Sequence, residues 1–399
     1  MKLTRIMLFY LINSFWQLTN HILFGRRLDV ILYYPQHFNR SKDGTNPYFA
    51  PIIDVCKENG LRYLMLEEPD DGTPNPRDPQ CIKADFFLGV TIIMRKVLRL
   101  CCKNKSTYEM DYLIGRIWSI LALGKLKAKT YICVSNSMHE VLAGLNPKGV
   151  AYDYQHGLIQ NGQKGFFESE GKLNGMFDIS NVGVMLWGEL YKKSFAMALS
   201  AERLNNIIKV VGYPIPTLKI VEKREERKFI LISLQMTVSN NPKRLNDYVE
   251  MFKAALNVIK VFGVPVLIKH HPRFNNIINL DHVLEEYPFA KFTSKSLPEL
   301  VSETLLQITW YSTTGFEYAN YGVPTFYLYN EKIPEGKDIF YDQYNYPLYK
   351  GMQLCEVIRR IKEKSTYNQD CKTVKEWYDS AYAPFDKQQI LKILTGNEN

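Results

Sequence analysis

The chain has 399 residues, which is enough for two domains of ordinary size. Hydrophobic residues make up 46% and charged residues 23%, a balance that excludes a disordered or fibrous protein. The formal net charge of +9 indicates an acidic partner, and no zinc-finger or RNA-binding motif is visible, which disfavours nucleic acid. Seven scattered cysteines without a C-x-x-C pair predict neither a disulfide framework nor a zinc site.

The first segment, residues 1–27, predicts an amphipathic helix. Its apolar core at residues 6–12 is followed by polar residues, and no small-residue cleavage site of a signal peptide follows. The segment is too polar to span a bilayer. Asn13, Gln17 and Asn20 are three or four residues apart and therefore lie on one side of the helix. We expect this helix to pack on the body of the protein or to lie on a membrane.

From residue 28 onward, strand patterns alternate with helical patterns. Two strand patterns, at residues 28–35 and 61–66, flank a helical one, and this β-α-β unit predicts a parallel sheet. Further strands of the first half are predicted at residues 130–137, 149–157, 182–188 and 207–214. After a charged stretch at residues 223–228, the predicted strands are 229–235, 264–272, 305–315 and 323–329. Helical patterns at residues 354–364 and 373–394 end the chain.

These two arrays predict two doubly wound, Rossmann-like α/β domains that face a central cleft. The predicted domains are an acceptor-binding domain at residues 28–220 and a nucleotide-sugar-binding domain at residues 221–370. A C-terminal helix within residues 371–399 is expected to pack near the domain junction.

A basic helix is predicted at residues 89–105. Its basic side carries Arg95, Lys96, Arg99 and Lys103, and its apolar side carries Ile93, Met94, Val97, Leu98 and Cys101. Three more lysines follow at Lys125, Lys127 and Lys129. Each basic charge near an anionic membrane contributes about 1 kcal/mol of attraction, so these residues predict docking on anionic lipid. The alternative is a solvated basic face.

Polar residues gather where predicted strands end, which is where ligands bind in doubly wound sheets. In the first half, His156 ends a strand, and an imidazole that titrates near neutrality can take a proton from an acceptor hydroxyl. Asp153 lies three residues earlier, on the other side of a regular strand, so it serves His156 only if the backbone twists. A packing role is the alternative for this histidine.

In the second half, two strand ends predict a phosphate site. The first is a cationic tip formed by Lys269, His270, His271 and Arg273, and only one of the two adjacent histidines is expected to face the ligand. The second is a strand-to-helix turn with Ser312, Thr313 and Thr314, whose hydroxyls and amides suit an anion. Glu317 follows on the first helical turn, within reach of a ribose. Ordinary helix capping and surface histidines are the alternatives.

Three motifs are absent from the sequence. No G-x-x-x-x-G-K-[ST] or G-x-G-x-x-G run occurs, which disfavours ATPase and dehydrogenase functions. No D-x-D occurs either, so we predict that phosphate is neutralised by protein donors without a metal ion.

Three segments in order, "QHG", "KHHPR" and "YSTTGFEYANYGVPTFYLY", resemble GT-B glycosyltransferases of bacterial surface and capsular polysaccharide synthesis. Capsule enzymes that transfer Kdo or sialyl groups have similar His-Pro and Ser/Thr signatures. CDP-glycerol glycerophosphotransferases have a similar His-Gly and a later His-Pro pair. The resemblance covers about residues 150–328, and the preceding residues match only in architecture.

The resemblance implies that His156 is the acceptor base or a close neighbour of it, with Asp153 as the alternative base. It also implies that His271, Ser312 and Thr313 hold the donor phosphate and that Glu317 binds the ribose. The implied function is metal-independent transfer of a sugar to a growing, lipid-linked surface glycan. The co-substrate would be a CMP- or UDP-linked sugar, with no further cofactor.

The implied location is the cytoplasm, peripheral on the inner face of the cell membrane. Three alternative functions remain open. They are a CDP-alditol (glycerol or ribitol) phosphotransferase, a nucleotide-sugar epimerase of the same fold, and a non-catalytic lectin-like or partner subunit.

Overall fold

Two parallel β-sheets organise the chain. The structure is a computed structural model that describes residues 2–39, 43–70, 75–135, 138–215, 227–235, 242–271 and 280–396. Unit 1 comprises Met1–Ile215 together with Tyr382–Asn399, and unit 2 comprises Pro216–Ala381. Each unit contains one of the two sheets, and helices connect the successive parallel strands. The predicted class, α/β with two Rossmann-like domains, is confirmed.

Unit 1 contains a seven-stranded sheet and a small hairpin. Its strands are β1 (Val30–Pro35), β2 (Tyr63–Glu68), β3 (Ile82–Lys83), β4 (Thr130–Val134), β5 (Val150–Tyr154), β6 (Phe167–Ser169), β7 (Lys172–Leu173), β8 (Val182–Leu186) and β9 (Ile208–Val210). The sheet order is β3-β2-β1-β4-β5-β8-β9, with every pair parallel, and β6 and β7 form the hairpin. Every residue of β1, β4 and β8 is buried, as expected for strands covered on both faces.

Seven helices of unit 1 precede the second sheet. They are α1 (Lys2–Phe24), α2 (Ala50–Glu58), α3 (Asp85–Cys101), α4 (Thr107–Leu121), α5 (His139–Leu145), α6 (Glu189–Ala196) and α7 (Ala201–Ile207). The sequence patterns did not predict α4, although it begins with a capping box in which Ser106 and Glu109 satisfy each other's backbone N–H groups.

Unit 2 contains a five-stranded parallel sheet. Its strands are β10 (Phe229–Ser233), β11 (Val266–Lys269), β12 (Ala290–Phe292), β13 (Thr304–Thr309) and β14 (Thr325–Tyr327), in the order β12-β11-β10-β13-β14. Its helices are α8 (Pro242–Phe262), α9 (Asp281–Leu284), α10 (Leu297–Leu300), α11 (Thr314–Asn320), α12 (Leu354–Lys362) and α13 (Lys364–Ala381).

The end of the chain differs from the single helical pattern at residues 373–394. That pattern is divided between α13, which belongs to unit 2, and α14 (Lys387–Thr395), which belongs to unit 1. Pro384 separates them because proline disfavours helix in the residue before it, and Asp386 then caps α14 by accepting hydrogen bonds from two backbone N–H groups. The hydroxyl of Thr130 donates to the Ile393 carbonyl, which ties α14 to β4.

The charged stretch at residues 223–228, expected to be a linker, has at least one residue packed inside unit 2. Residues 223–226 lie outside the described residues, but Arg227 is buried in unit 2. Its guanidinium donates to the carbonyls of Tyr321 and Gly322, just beyond the end of α11. A cation at this position compensates the partial negative charge of the helix end.

Two helices of unit 1, α4 and α5, approach each other through glycines. A Cβ atom on Gly115 would lie 2.0 Å from the Val141 carbonyl oxygen, and one on Gly144 would lie 2.1 Å from the Tyr112 carbonyl oxygen. Only glycine permits this backbone distance. The contact fixes α5 against the sheet, directly before β5.

We predict that Gly115→Ala destabilises unit 1 by about 1–3 kcal/mol, because the two helices must move apart. Alanine is more favourable than glycine in a helix by about 1 kcal/mol. A net loss of unfolding free energy would therefore come from the steric conflict. Urea unfolding followed by circular dichroism measures the change. The control is Arg116→Ala, at the next, exposed position. Equal midpoints for the two variants would contradict the close contact.

Candidate functional site

The carboxyl ends of the unit 1 strands bring distant residues together. Tyr33, Cys133 and Asp153 are in register across β1, β4 and β5. Parallel strands end at the same edge of a sheet. The residues after β1 and β5 therefore lie at one edge, on either side of the end of β4. We call this region the unit 1 edge; it consists of Gln36, His37, Phe38, Gln155 and His156.

His156 lies two residues beyond β5, on a backbone fixed by Gln155. The Gln155 side chain accepts a hydrogen bond from the Trp187 N–H (2.8 Å) and donates one to the Gly157 carbonyl (2.9 Å). The His156 ring is half-buried and meets Phe38 edge to face, with 5.4 Å between ring centroids. A Cβ atom on Gly157 would meet nothing within 4 Å, so open space adjoins the histidine.

Asp153, the alternative base, is fully buried. Its Oδ1 accepts a weak hydrogen bond from the Cys133 thiol (3.8 Å), and its Oδ2 has no hydrogen-bond partner within the described part of the chain. Burial raises the pKa of Asp153 well above its usual range, and the nearby Glu140 carboxyl adds to this effect. Burial therefore favours the neutral form of this side chain.

The start of α5 contains two more buried titratable groups. Burial raises the pKa of Glu140 to about 7; Asp111 adds to the increase, and Arg95, paired with Asp111 at 2.8 Å, opposes it. Burial lowers the pKa of His139 to about 4, and its Nε2 donates to the Ala151 carbonyl at 2.8 Å. These groups belong to the interior behind the unit 1 edge.

The sequence analysis missed His37 and Asp70. His37 follows β1, Asp70 follows β2, and the His37 Nδ1 lies 2.6 Å from the Asp70 Oδ2. Phe38 contacts both histidines of the edge. Its ring centroid lies 4.3 Å from that of His37 and 5.4 Å from that of His156. A signal was present, because Gln36-His37 after β1 repeats the Gln155-His156 pair after β5.

In unit 2, a network of hydroxyl and amide groups connects the sheet, at Gln307 within β13 and Thr325 at the start of β14, to the turn after β13. The Gln307 Nε2 donates to the Thr314 hydroxyl (2.7 Å) and to the Ser233 hydroxyl (3.1 Å), and its Oε1 accepts from Thr325 (3.0 Å). Thr314 also shares a hydrogen bond with the Ser312 hydroxyl (3.0 Å). These side chains are held in fixed orientations by one another.

The helix α11 begins within this network. Thr313 precedes its first residue and makes no side-chain capping bond, while the Ser312 hydroxyl accepts from the Thr314 N–H at 3.3 Å. Glu317 is half-buried on the first turn, where the sequence predicted it. The turn therefore combines hydroxyl groups with backbone amides at the end of β13.

The cationic tip is partly described. β11 ends at Lys269, before the end of the strand predicted at residues 264–272. Burial lowers the pKa of Lys269, and Glu299 opposes this. The His270 ring stacks on Phe292, with 4.3 Å between centroids and 13° between planes, so His270 packs against β12. His271 follows and is half-buried, and Arg273 lies outside the described residues.

No group of three or more His, Cys, Asp and Glu side chains within the described residues is arranged to hold a metal ion. The polar groups of the unit 2 network are hydroxyls and amides, which can donate hydrogen bonds to an anionic ligand.

Comparisons with known proteins give relatives only at the level of structure. No family model and no curated protein sequence matches the chain. A variant of the wall teichoic acid polymerase TagF soaked with CDPG is similar over 97% of both chains, with a TM-score of 0.52 and 13% identity. The UDP-GlcNAc 2-epimerase from Neisseria meningitidis bound to UDP-GlcNAc is similar over 93% of this chain and 100% of its own, with a TM-score of 0.52 and 14% identity.

The protein has the GT-B fold. This confirms the fold that the resemblance of the sequence motifs implied. At 13% and 14% identity, the similarity to these two enzymes shows a shared architecture and not a shared reaction.

We predict that Glu140 makes the stability of unit 1 depend on pH. Its raised pKa means that the folded protein binds the proton more tightly than the unfolded chain does. The resulting stabilisation is complete below the usual pKa of 4.5 and is lost as the pH rises through about 7. Relative to Glu140→Gln, the wild type should lose about 3 kcal/mol between pH 4.5 and 7.5.

Urea unfolding across this pH range measures the difference. The control is Glu202→Gln, at an exposed position on α7, which should follow the wild-type curve. Parallel curves for the wild type and Glu140→Gln would show that Glu140 titrates alike in the folded and unfolded states.

Proposed function

We propose that the protein is a transferase that moves a sugar from a nucleotide-activated donor to a hydroxyl of a growing, lipid-linked surface glycan. The proposal rests on one observation: His156 is half-buried next to open space at Gly157, at the end of a strand of a GT-B unit. Ligands of doubly wound sheets bind beyond such strand ends. The complete burial of Asp153, which raises its pKa, favours the histidine as the acceptor-side group.

His156 acts on the acceptor hydroxyl, as its base or as a close neighbour of its base. The acceptor oxygen loses its proton to an imidazole nitrogen and forms a bond with the anomeric carbon of the sugar. The bond from that carbon to the phosphate oxygen breaks, and its electron pair stays on the nucleotide phosphate.

The donor nucleotide binds to unit 2. Lys269, His271 and Arg273 supply positive charge for its phosphates, and Ser312, Thr313 and Thr314 supply hydroxyl and amide donors. Glu317 accepts hydrogen bonds from the ribose hydroxyls. The network around Gln307 supports this role because it fixes the Ser312 and Thr314 hydroxyls before a ligand arrives.

A CDP-alditol phosphotransferase is the second candidate. The similarity to TagF, determined with CDPG, extends over 97% of both chains and favours it. In that reaction the acceptor oxygen attacks phosphorus, and CMP leaves. A UDP-sugar epimerase, the activity named for the other neighbour, would need no acceptor at all. Analysis of the products separates the three reactions.

We predict that the two units contribute separable functions. His156→Ala should lower turnover by about 10²–10⁴-fold and leave nucleotide affinity nearly unchanged. His271→Ala should weaken nucleotide binding by about 1.5–3 kcal/mol, the contribution of a hydrogen bond to a charged group. A thermal-shift panel of CMP, CDP, UDP, CDP-glycerol and UDP-GlcNAc identifies the nucleotide, and calorimetry on the variants measures its affinity.

Asp153→Asn keeps the shape of a buried side chain whose raised pKa favours the neutral form, and it should retain most of the turnover. Loss of turnover in Asp153→Asn with retention in His156→Ala would transfer the base role to the aspartate. Binding of no nucleotide by the wild type would contradict the transferase function itself.

We also propose that unit 1 docks on the anionic, cytoplasmic side of the cell membrane. Among the helices with described residues, none has the length and apolar character to cross a bilayer. The helix α1 contacts unit 1 through polar side chains. Ser14 accepts a hydrogen bond from the Phe86 N–H, and Gln17 accepts one from the Lys83 N–H, both at 2.9 Å. Ser14 and Gln17 thus face unit 1 beside the buried Leu18, and most of the other large apolar side chains described on α1 face outward.

Exposed apolar side chains also occur on α3, which packs beside α1, and at the end of α4, which packs beside α3. Among the described residues, the exposed large apolar side chains other than Met197 and Val261 all lie on α1, on α3, or at and just after the end of α4. We call this set the outer apolar face. It consists of Leu8, Phe9, Leu11, Ile12, Phe15, Trp16, Leu23, Phe24, Ile92, Ile93, Val97, Leu100, Ile120, Leu121 and Leu123.

Basic residues accompany this face. Lys96 and Arg99 are exposed on α3, and Arg26 and Arg27 are exposed after α1. Arg95 differs from the expectation for the basic helix, because it forms a bidentate pair with Asp111 inside unit 1. The combination of exposed apolar and basic side chains suits an anionic bilayer, in which the apolar groups enter and the cations meet the headgroups.

We predict that the outer apolar face holds the protein on anionic vesicles. The double variant Trp16→Gln, Leu100→Gln should lose flotation with vesicles of phosphatidylglycerol and phosphatidylethanolamine, since each large apolar side chain contributes about 1.5–3 kcal/mol when buried. The control is Val261→Gln, which replaces a side chain that is 82% exposed on α8 of unit 2. Absence of wild-type flotation, or equal flotation of both variants, would contradict the docking.

A further inference from the structure

The hydrogen-bond ladder between β5 and β8 ends in an unusual way at Gln155. The Gln155 N–H donates to the Met185 carbonyl at 2.9 Å, which continues the parallel ladder one residue beyond β5. In a regular parallel ladder, the Trp187 N–H would then donate to the backbone carbonyl of Gln155. It donates to the Gln155 side-chain Oε1, at 2.8 Å. A side chain therefore occupies the position of the next backbone acceptor.

The Gln155 side chain carries the same two groups as a peptide unit. Its Oε1 accepts a hydrogen bond as a backbone carbonyl would, and its Nε2 donates one to the Gly157 carbonyl, at 2.9 Å, as a backbone N–H would. Gln155 is 1% exposed, so water does not compete for these bonds. Because the side chain completes the ladder, the main chain can leave the sheet at this residue. His156 is the next residue along the chain.

The same arrangement occurs after β1. By the register of β1 and β2, the Asp70 N–H would donate to the backbone carbonyl of Gln36, but it donates to the Gln36 Oε1 at 3.4 Å. The Gln36 Nε2 donates to the Asn75 carbonyl at 2.6 Å, and the Gln36 carbonyl accepts from the Asn39 N–H at 3.0 Å. A glutamine thus ends the ladder of two strands at the unit 1 edge. The repetition indicates a property of this edge and not an accident of one loop.

Two described contacts bear on the position of His156. The Gln155 amide joins the residues on either side of it, because it belongs to Gln155 and binds the Gly157 carbonyl. The His156 ring meets the buried Phe38 ring edge to face. The backbone that carries the imidazole is therefore fixed by one side-chain amide, and loss of that amide would release it.

We propose that Gln155 is the positioning residue for the acceptor-side group: its amide replaces a peptide group of the ladder and fixes His156 beside the open space at Gly157. This inference rests on the proposed transferase function and names a second residue on which that function depends. Gln155 acts through the backbone of residues 155–157 and not on the reacting atoms. A displacement of a reacting group by about 1 Å can lower turnover by about 10²-fold.

Gln155→Glu tests this role, because a carboxyl group imitates the amide in only one of its two forms. The neutral carboxyl accepts from the Trp187 N–H and donates its O–H to the Gly157 carbonyl, whereas the carboxylate has no proton to donate. Burial raises the pKa of such a group above its usual value of about 4.3. Turnover should therefore equal that of the wild type at low pH and fall to about 10⁻² of it as the carboxyl ionises. The measurement is nucleotide release from CDP-glycerol and UDP-GlcNAc by the full-length protein.

Two further variants complete the comparison. Gln155→Met makes neither bond, and its turnover should lie about 10²-fold below that of the wild type at every pH. Gln369→Glu, at an exposed position on α13, is the matched control and should follow the wild type throughout. Circular dichroism verifies that each variant is folded across the pH range.

The NMR signals of the His156 ring report its position without any reaction. Its edge-to-face contact with Phe38 shifts these signals, which are identified by their loss in His156→Ala. Compared with the wild type at the same pH, Gln155→Glu should keep this shift at low pH and lose it at high pH. Gln155→Met should lack it at every pH.

The outcomes separate the positioning role from the transferase function. A pH-independent ratio of Gln155→Glu to wild-type turnover, or full turnover in Gln155→Met, would overturn the positioning role. An unchanged His156 signal in Gln155→Met would also overturn it. A wild type that releases no nucleotide from either donor would contradict the transferase function, and the His156 signals would then decide the positioning role alone.

Discussion

The register of the unit 1 sheet is the constraint on which the site depends. Tyr33, Cys133 and Asp153 are aligned through backbone hydrogen bonds across three strands. A shift by one residue in this pairing would turn every buried side chain of a strand to the other face. The alignment therefore fixes which residues are buried and which emerge at the edge. His37 and His156 follow strands that end at the same edge of the sheet on either side of β4, and both rings contact Phe38.

Burial then separates carboxyl groups that look alike in sequence. Asp153 and Glu140 lie in the interior, where desolvation raises the pKa of each. Asp70 lies at the partly exposed edge, within hydrogen-bond distance of a histidine. Burial favours the neutral forms of the first two, while Asp70 lies 2.6 Å from the His37 ring. Position relative to the sheet edge, and not residue type, separates these surroundings.

Hydrogen bonds contribute to the orientation of α1. The Lys83 and Phe86 N–H groups, where α3 begins, are satisfied by Gln17 and Ser14. Leaving such backbone groups unpaired in a buried place would cost about 1–3 kcal/mol each. These bonds turn Gln17 and Ser14 inward beside the buried Leu18, and most of the other large apolar side chains described on α1 are exposed. They form the α1 part of the outer apolar face.

The sequence by itself determined the fold class and the alternation of strands and helices. Apolar periodicity and chain breaks are local properties, and they placed the ends of β5, β11 and β13 a few residues beyond the ends that the structure shows. The sequence did not reveal α4, whose close contact with α5 through Gly115 is visible only when both helices are present. It also could not divide residues 373–394 between two units.

Only the tertiary structure decided which polar residues meet. The pair of His37 and Asp70 joins two strand ends, Asp153 is enclosed by β4 and α5, and Arg95 is drawn to Asp111 and away from the surface. Each of these outcomes depends on residues distant in sequence. Local patterns predict where a side chain can point, but the partner that determines its charge and chemistry comes from another part of the chain.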